Sequence, residues 1–331
     1  MEQNFSGKSN DSDLLTVQVV RKTQEASDIC SFELAGLHGE ALPEFSPGAH
    51  IDVLTPNGFR RPYSLCSQPG DGSRYLVAIL KEAASRGGSK GMHELVQAGE
   101  TLQISRPRNQ FPLHEGAKKH LLLAGGIGVT PILGMAGFLH RAGQDFEMHY
   151  CARSKARAAF LDAIGQSGFS SRVQFHFDDG APSQRLDLPS VLAQNKQPGI
   201  HLYVCGPQGF MDAVLGMARE SGWSEDHLHY EFFSAAPVGQ AGDQPFLVRL
   251  ATSGKEVLVP PDKSVVDALS EVGVVLPTSC TQGYCGTCIT GLAAGIPDHR
   301  DTYLTDEEKS SNKVFIPCCS RAGSDCLVLD L

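Results

Sequence analysis

Short runs of alternating apolar and polar residues fill the first third of the chain. Leu14–Val20, His50–Leu54, Tyr75–Leu80 and Leu102–Ile104 are examples, and Pro47-Gly48 and Pro56-Asn57-Gly58 punctuate them. Period-two alternation broken by frequent turn residues predicts many short strands in an all-β barrel or sandwich.

The rhythm changes at about Gly116. Strand-like runs now alternate with helical stretches: Leu121–Ala124 then Ile132–Ala142, Glu147–Cys151 then Ala156–Ile164, Val173–Phe177, and Leu202–Cys205 then Phe210–Ser221. Such alternation predicts a parallel sheet with helices on its faces. From Ala235 to Pro245 the composition is that of a flexible linker. The segment after it, Phe246 to Leu331, has the size of a small domain. The expected division is therefore 1–115, 116–236, a linker at 237–245, and 246–331.

Composition narrows the picture only slightly. The 331 residues are 41% hydrophobic and 20% charged, as in an ordinary globular protein, and their number suits two or three domains. A net charge of −9 argues against nucleic acid as a main partner. Met1 to Asp13 are polar and read as a loose tail without a secretory core, so a cytoplasmic protein is expected. Leu121 to Phe138 is apolar enough to suggest a membrane span. It carries five glycines and a proline, however, and reads better as strand, turn and helix.

Five of the ten cysteines fall between Cys280 and Cys319, which favours a metal centre over a disulfide framework. Cys280, Cys285 and Cys288 have the spacing C-x4-C-x2-C, and Cys318 follows after 29 intervening residues. Plant-type [2Fe–2S] centres take three thiolates from such a loop and a fourth from afar. Structural zinc sites favour C-x2-C pairs, so a loop of x4 then x2 is unusual for them, and no histidine lies in the loop. Cys318 and Cys319 compete for the fourth position. Cys30, Cys66, Cys151 and Cys326 read as packing residues.

Two glycine turns follow apolar strands. Gly126 and Gly128 begin a G-x-G-x-x-G pattern in which Pro131 replaces the third glycine. Thr130 is placed to cap a helix and Pro131 to open it, so that helix and turn N–H groups would face a pyrophosphate. The second turn is Cys205-Gly206-Pro207. Both lie at the carboxyl ends of strands, where open parallel sheets bind ligands, which points to one shared site. In the first segment Arg61-Pro62-Tyr63-Ser64 offers a phosphate partner, an aromatic face and a hydroxyl, all suited to a flavin. Ser85-Arg86-Gly87-Gly88-Ser89 is a candidate phosphate cradle. Alone, each string also fits a surface loop or strand end.

The order of these motifs resembles the phthalate dioxygenase reductase family, and most nearly its vanillate O-demethylase type. His149-Tyr150-Cys151-Ala152-Arg153-Ser154 and Pro107-Arg108-Asn109-Gln110-Phe111-Pro112-Leu113 carry the finer likeness, which runs from about Leu14 to Leu331. The resemblance implies a six-stranded antiparallel β-barrel that binds FMN, a parallel α/β domain that binds NADH, and a β-grasp ferredoxin domain. It assigns the fourth cluster ligand to Cys318, ahead of Ser320-Arg321-Ala322. It implies that Arg61, Pro62, Tyr63 and Ser64 hold the flavin ring and phosphate region, that Ala78 and Ile79 run along the ring, and that Gly87, Gly88 and Ser89 bind the phosphate. Gly126, Gly128, Thr130, Pro131, Cys205, Gly206 and Pro207 would line the nicotinamide site. Phe233 would cover the flavin's other face. Ser64, Cys205 and Glu231 are then the groups expected beside the reacting atoms.

The activity so implied is a step-down of electrons from NADH through FMN to the cluster, and on to a Rieske-type oxygenase. A plant-type cluster near about −400 mV has the driving force to reduce such a centre. Residues 245–331 carry 7 Lys and Arg against 11 Asp and Glu, an acidic balance that can steer the domain to a basic partner. A monomer suits a mobile electron carrier. The same motifs also fit a reductase for a cytochrome P450 or a diffusible acceptor, and a cluster-based redox sensor.

Overall fold

The computed structural model describes residues 14–70, 72–82, 87–233, 242–278, 281, 283, 286–301 and 303–331. The described residues divide into two compact units, 14–233 and 242–331.

The first unit opens with an antiparallel sheet. Its strands are β1 (Leu15–Ala26), β2 (Ile29–Gly36), β3 (Ala49–Leu54), β4 (Arg60–Ser64), β5 (Arg74–Leu80), β6 (Thr101–Ile104) and the short β7 (Arg108–Asn109). The order is β4-β3-β6-β1-β2-β5, with β7 beside β3. Two register shifts in β1, at Val19/Arg21 and Gln24/Ala26, bend the sheet. It curls until its edge strands meet at a Leu65–Val77 bridge. Helix α1 (Gly88–Leu95) packs Met92 into the barrel core with Val17, Phe32, Ile51 and Ile104. The expected strand at Leu14–Val20 continues to Ala26, because its polar second half pairs with β2.

Five parallel strands follow: β8 (Lys119–Gly125), β9 (Phe146–Ala152), β10 (Val173–Phe177), β11 (Ile200–Gly206) and β12 (Leu228–Phe232). Their order is β10-β9-β8-β11-β12. Helix α2 (Val129–Arg141) covers one face, and α4 (Leu188–Asn195) and α5 (Gln208–Glu220) cover the other. The helix expected over Ala156–Ile164 is broken. Only a 3-10 turn at Lys155–Arg157 and a short α3 (Leu161–Gly165) form. Between them Ala158, Ala159 and Phe160 enter the core, and Phe160 takes φ 63, which stops helix growth there.

One apolar cluster crosses from barrel to parallel sheet. Ile29, Cys66, Ala78 and Phe111 pack with Leu122, Met135 and Tyr203. The two halves of residues 12–233 therefore share a core.

The second unit is a mixed sheet, β14-β13-β19-β15-β17. It is built from β13 (Phe246–Leu250), β14 (Glu256–Val259), β15 (Thr290–Ala294), β17 (Val314–Phe315) and β19 (Cys326–Leu329), with β13 and β19 parallel. Helix α6 (Val265–Glu271) is capped by Ser264 and buries Val265, Ala268 and Leu269 against it, giving a β-grasp. The pair β16 (Pro297–Asp298) and β18 (Arg321–Ala322), with α7 (Asp306–Ser311), completes the unit. Of the expected linker, 237–241 lie outside the described residues. Asp243 is fixed to this unit by a paired hydrogen bond to Arg300 at 2.9 and 2.6 Å.

Candidate functional site

A phosphate seat forms where β4 passes the start of α1. Arg61 stacks over the Phe59 ring at 5.0 Å. Gly88 lies so close to Arg61 that a Cβ there would stand 3.0 Å from the Arg61 side chain. Gly87 has φ 118, which only glycine adopts readily, and its carbonyl accepts from Asn57 Nδ2 at 2.7 Å. Ser89 Oγ accepts the Glu82 N–H at 3.2 Å. The result is a cation beside a helix N-terminus that no side chain caps, which suits a phosphate monoester. Ser85 and Arg86 of the expected cradle lie outside the described residues. Asn57, a turn residue by sequence, and Phe59, which no sequence pattern singles out, orient the seat. Nothing local in Asn57-Gly58 marks a contact thirty residues away.

Along the barrel from this seat, Pro62 and Tyr63 are half-buried and Ser64 is buried. Burial pushes the Tyr63 phenol up, so it stays neutral. Ala78 and Ile79 are buried on β5. Ile79 points into the barrel core, whereas Ala78 belongs to the cluster shared with the parallel sheet. Their side chains therefore point to opposite faces of β5, and only their backbone can run along a ring together. Neighbours on a strand point to opposite faces.

The two glycine turns meet at the carboxyl edge of the parallel sheet. A Cβ on Gly128 would overlap the Cys205 carbonyl and the Gly206 N–H, and both Gly125 and Gly206 lie against the Phe210 ring. Glycine is required at 128 by this close approach, and favoured at 126 by φ 54. Helix α2 begins at Val129, after a 3-10 turn at Gly126–Gly128, and no side chain caps it. The expected capping by Thr130 is not seen. Its hydroxyl donates to Ile127 O at 3.0 Å. Pro131 sits one turn in, where its missing N–H has no helical partner to lose. Pro207 stands at the N-cap of α5.

Cys205 pairs in register with Ala124 on one side and Glu231 on the other. Its thiol is fully buried, and burial followed by the Glu231 charge pushes its pKa well above the ordinary value. A thiolate role is thus ruled against, and the residue forms a neutral floor. Glu231 is buried too, and its carboxyl is pushed up to about 8 by burial, partly offset by the neighbouring Ser64 side chain. Its Oε2 has no hydrogen-bond partner. At neutral pH this carboxyl holds a proton. Ser64 and Glu231 join the end of a barrel strand to the end of a parallel strand. Phe233, half-buried, packs on the shared core next to them.

In the second unit Cys280 and Cys285 lie outside the described residues. Cys288 and Cys318 are buried in one small cluster with Leu304 and Ile316. Cys319 is half-buried, and its thiol donates to Ile316 O at 3.9 Å. Gly283 at φ 80 and Gly286 at φ 68 have the left-handed backbone that lets a loop wrap tightly. A Cβ at either would overlap a neighbour, Cys319 at one and the Tyr303 ring at the other. Two soft thiols brought together beneath a loop wound through glycines fit an iron–sulfur cluster. Among the described residues no helix is long and apolar enough to cross a membrane.

A family profile described as "2Fe-2S iron-sulfur cluster binding domain" matches residues 248–323. Another, for the N-terminal domain of a dimethylamine monooxygenase subunit DmmA-like family, matches 103–228. Vanillate O-demethylase oxidoreductase of a Pseudomonas strain is 52% identical over 92% of this chain and 96% of its own. Phthalate dioxygenase reductase of Burkholderia cepacia is 40% identical over 96% and 97%. A solved phthalate dioxygenase reductase, described as modular for electron transfer from pyridine nucleotides to [2Fe–2S], superimposes with TM-score 0.77 at 39% identity, covering 97% of this chain and 99% of that one. An intact type IV self-sufficient cytochrome P450 monooxygenase gives TM-score 0.79 at 36% identity, covering all of this chain and 43% of its own. With curled barrel, parallel sheet and β-grasp unit in the same order, the chain belongs to the phthalate dioxygenase reductase family of oxygenase reductases.

Proposed function

We propose that this chain carries electrons from NADH through FMN to a plant-type [2Fe–2S] cluster, and from there to a Rieske-type oxygenase. One observation carries the reading. Strand β5 of the barrel packs on the Gly126–Gly128 turn, and Ala78 shares one apolar cluster with Ala124, Cys205 and Phe233 at the carboxyl edge of the parallel sheet. A flavin seated on the first and a nicotinamide seated on the second then meet at one point.

FMN, when bound, accepts a hydride and returns its electrons one at a time. Arg61 and the α1 N-terminus hold its phosphate, aided by Gly87, Gly88 and Ser89. Tyr63 and Phe233 shield the ring, with Pro62 and the Ala78–Ile79 backbone beside it. The turns at Gly126–Pro131 and Cys205–Pro207 seat the nicotinamide nucleotide, and the buried Cys205 thiol keeps water out of the floor. Ser64 lies beside Glu231, whose own proton is held at neutral pH and is available for exchange at the junction. Cys280, Cys285, Cys288 and Cys318 hold the cluster. The proposal places the protein in the cytoplasm as a monomer, where NADH is available and thiols stay reduced.

Anaerobic titration of the cofactor-replete protein with NADH tests this. Uptake of about three electrons per chain, two by flavin and one by the cluster, is the expected result. Flavin bleaching with no cluster signal, in protein shown to retain iron, would sink it. A second reading, a reductase for a cytochrome P450, is favoured by the full-length match to a P450 that carries this module. Reconstitution with each class of acceptor separates the two. Faster sustained turnover of the Rieske centre supports the first.

A further inference from the structure

Asp298-His299-Arg300-Asp301 is a charged string, and such strings usually face water. Asp301 does not, for its side chain is completely buried. A carboxylate in that setting must be held by several partners. Its Oδ2 accepts the Leu304 N–H at 2.9 Å, and its Oδ1 accepts the Ser320 hydroxyl at 3.2 Å. His299 Nδ1 lies 3.4 Å from Oδ1, and Lys309 Nζ lies 4.0 Å from Oδ2. Lys309 also donates to the Asp301 carbonyl at 2.8 Å, and Ser320 Oγ accepts the Arg300 N–H at 3.0 Å.

The position of this knot matters more than its size. A Cβ on Gly283 would stand 3.1 Å from Asp301 Cα and would overlap Cys319 Sγ. Gly283, which falls between Cys280 and Cys285 in the sequence, therefore rests directly on Asp301. Ser320, which Asp301 holds, is two residues from Cys318. One buried carboxylate thus ties together Gly283, the fourth-cysteine segment at Ser320 and, through Lys309, helix α7.

We propose that Asp301 is a positioning residue for the cluster, which fixes the two ligand segments against each other and holds the cluster's potential low. The inference rests on reading the four cysteines as the ligand set. Adding an electron to a cluster is disfavoured by a buried negative charge nearby, and removing that charge eases reduction.

The test uses the full-length holoprotein and the variants Asp301→Asn, Asp301→Ala and Lys309→Met. The readouts are iron content, midpoint potential by spectroelectrochemical titration, and the rate of iron loss to a chelator. Asp301→Asn keeps the shape and is expected to retain the cluster at a raised potential. Lys309→Met leaves the carboxylate less compensated and shifts the potential the opposite way. Asp301→Ala releases iron faster by about tenfold, the scale of one lost charge-assisted hydrogen bond. A merely structural role would lower occupancy but leave the potential of the remaining clusters unmoved. Wild-type potential in both Asp301→Asn and Lys309→Met would overturn the proposal. Wild-type protein isolated anaerobically without iron would overturn the ligand assignment instead.

Discussion

Glu231 is the side chain whose environment departs furthest from water while remaining ionisable near neutrality. Its pKa of about 8 in the folded protein compares with an ordinary value of 4.5, and burial is the main cause. Between those two values the native state holds a proton that the unfolded chain has released. Stability is therefore expected to fall as pH rises from about 4.5 to about 8. Glu231→Gln keeps an acceptor for Ser64 and carries no charge. It should flatten that slope and melt above wild type at pH 8 to 9, while matching it near pH 5. Thermal unfolding across pH checks this. An unchanged slope in the variant would place the titration elsewhere. Cys205, one strand over, adds no competing titration in this range, because burial keeps its thiol neutral.

The glycine turns set the next scale, where one element must pass close to another. At Gly128 a side chain would meet Cys205 and Gly206 backbone, which cannot rotate away, whereas at Gly126 nothing lies within 4 Å and only φ 54 is unfavourable. Gly128→Ala is expected to cost about 3 kcal/mol and to weaken NADH binding, with flavin retained. Gly126→Ala should cost about 1 kcal/mol. Denaturant unfolding and the KM for NADH give the ordering, and the reverse ordering would refute the close approach. Such turns were legible in the sequence because glycine has a local reason to be there. Alternation likewise revealed β3, β5 and β6, and the four-two cysteine spacing needed no fold at all. The polar half of β1 was not legible, since only pairing with β2 makes Arg21–Ala26 a strand. Nor was the break at Phe160, a helix-compatible residue drawn into the core. The order of motifs pointed to Ser64 and Glu231 separately. Their proximity joins residues from different segments, and no local pattern encodes it.

At the scale of the whole chain, composition suggests three pieces, and packing makes two compact units. The barrel and parallel sheet share buried side chains, among them Ala78, Phe111, Met135 and Tyr203. The β-grasp unit has its own core around Phe246, Val248, Leu269 and Phe315. Its expected linker is partly its own structure, because Asp243 is paired with Arg300 and lies 3.4 Å from the buried Arg321. A cut made before Asp243 should thus be tolerated, and a cut near residue 115 should not. Residues 12–233 alone are expected to bind flavin and to reduce ferricyanide with NADH at near full-length rates, but to reduce no one-electron protein acceptor that needs the cluster. Residues 234–331 alone should bind iron and sulfide and melt cooperatively. A fragment ending at residue 115 would expose Ile29, Cys66, Ala78 and Phe111, and should aggregate or remain unfolded. Expression of the three fragments, with circular dichroism, flavin content and ferricyanide assays, decides the matter. A stable barrel fragment with bound flavin would show that the shared core is dispensable. Failure of both larger fragments would show that the two units depend on each other for folding. Success of those two alone would mean that hydride transfer is confined to one folding unit, and that the cluster can evolve or be exchanged as a separate part.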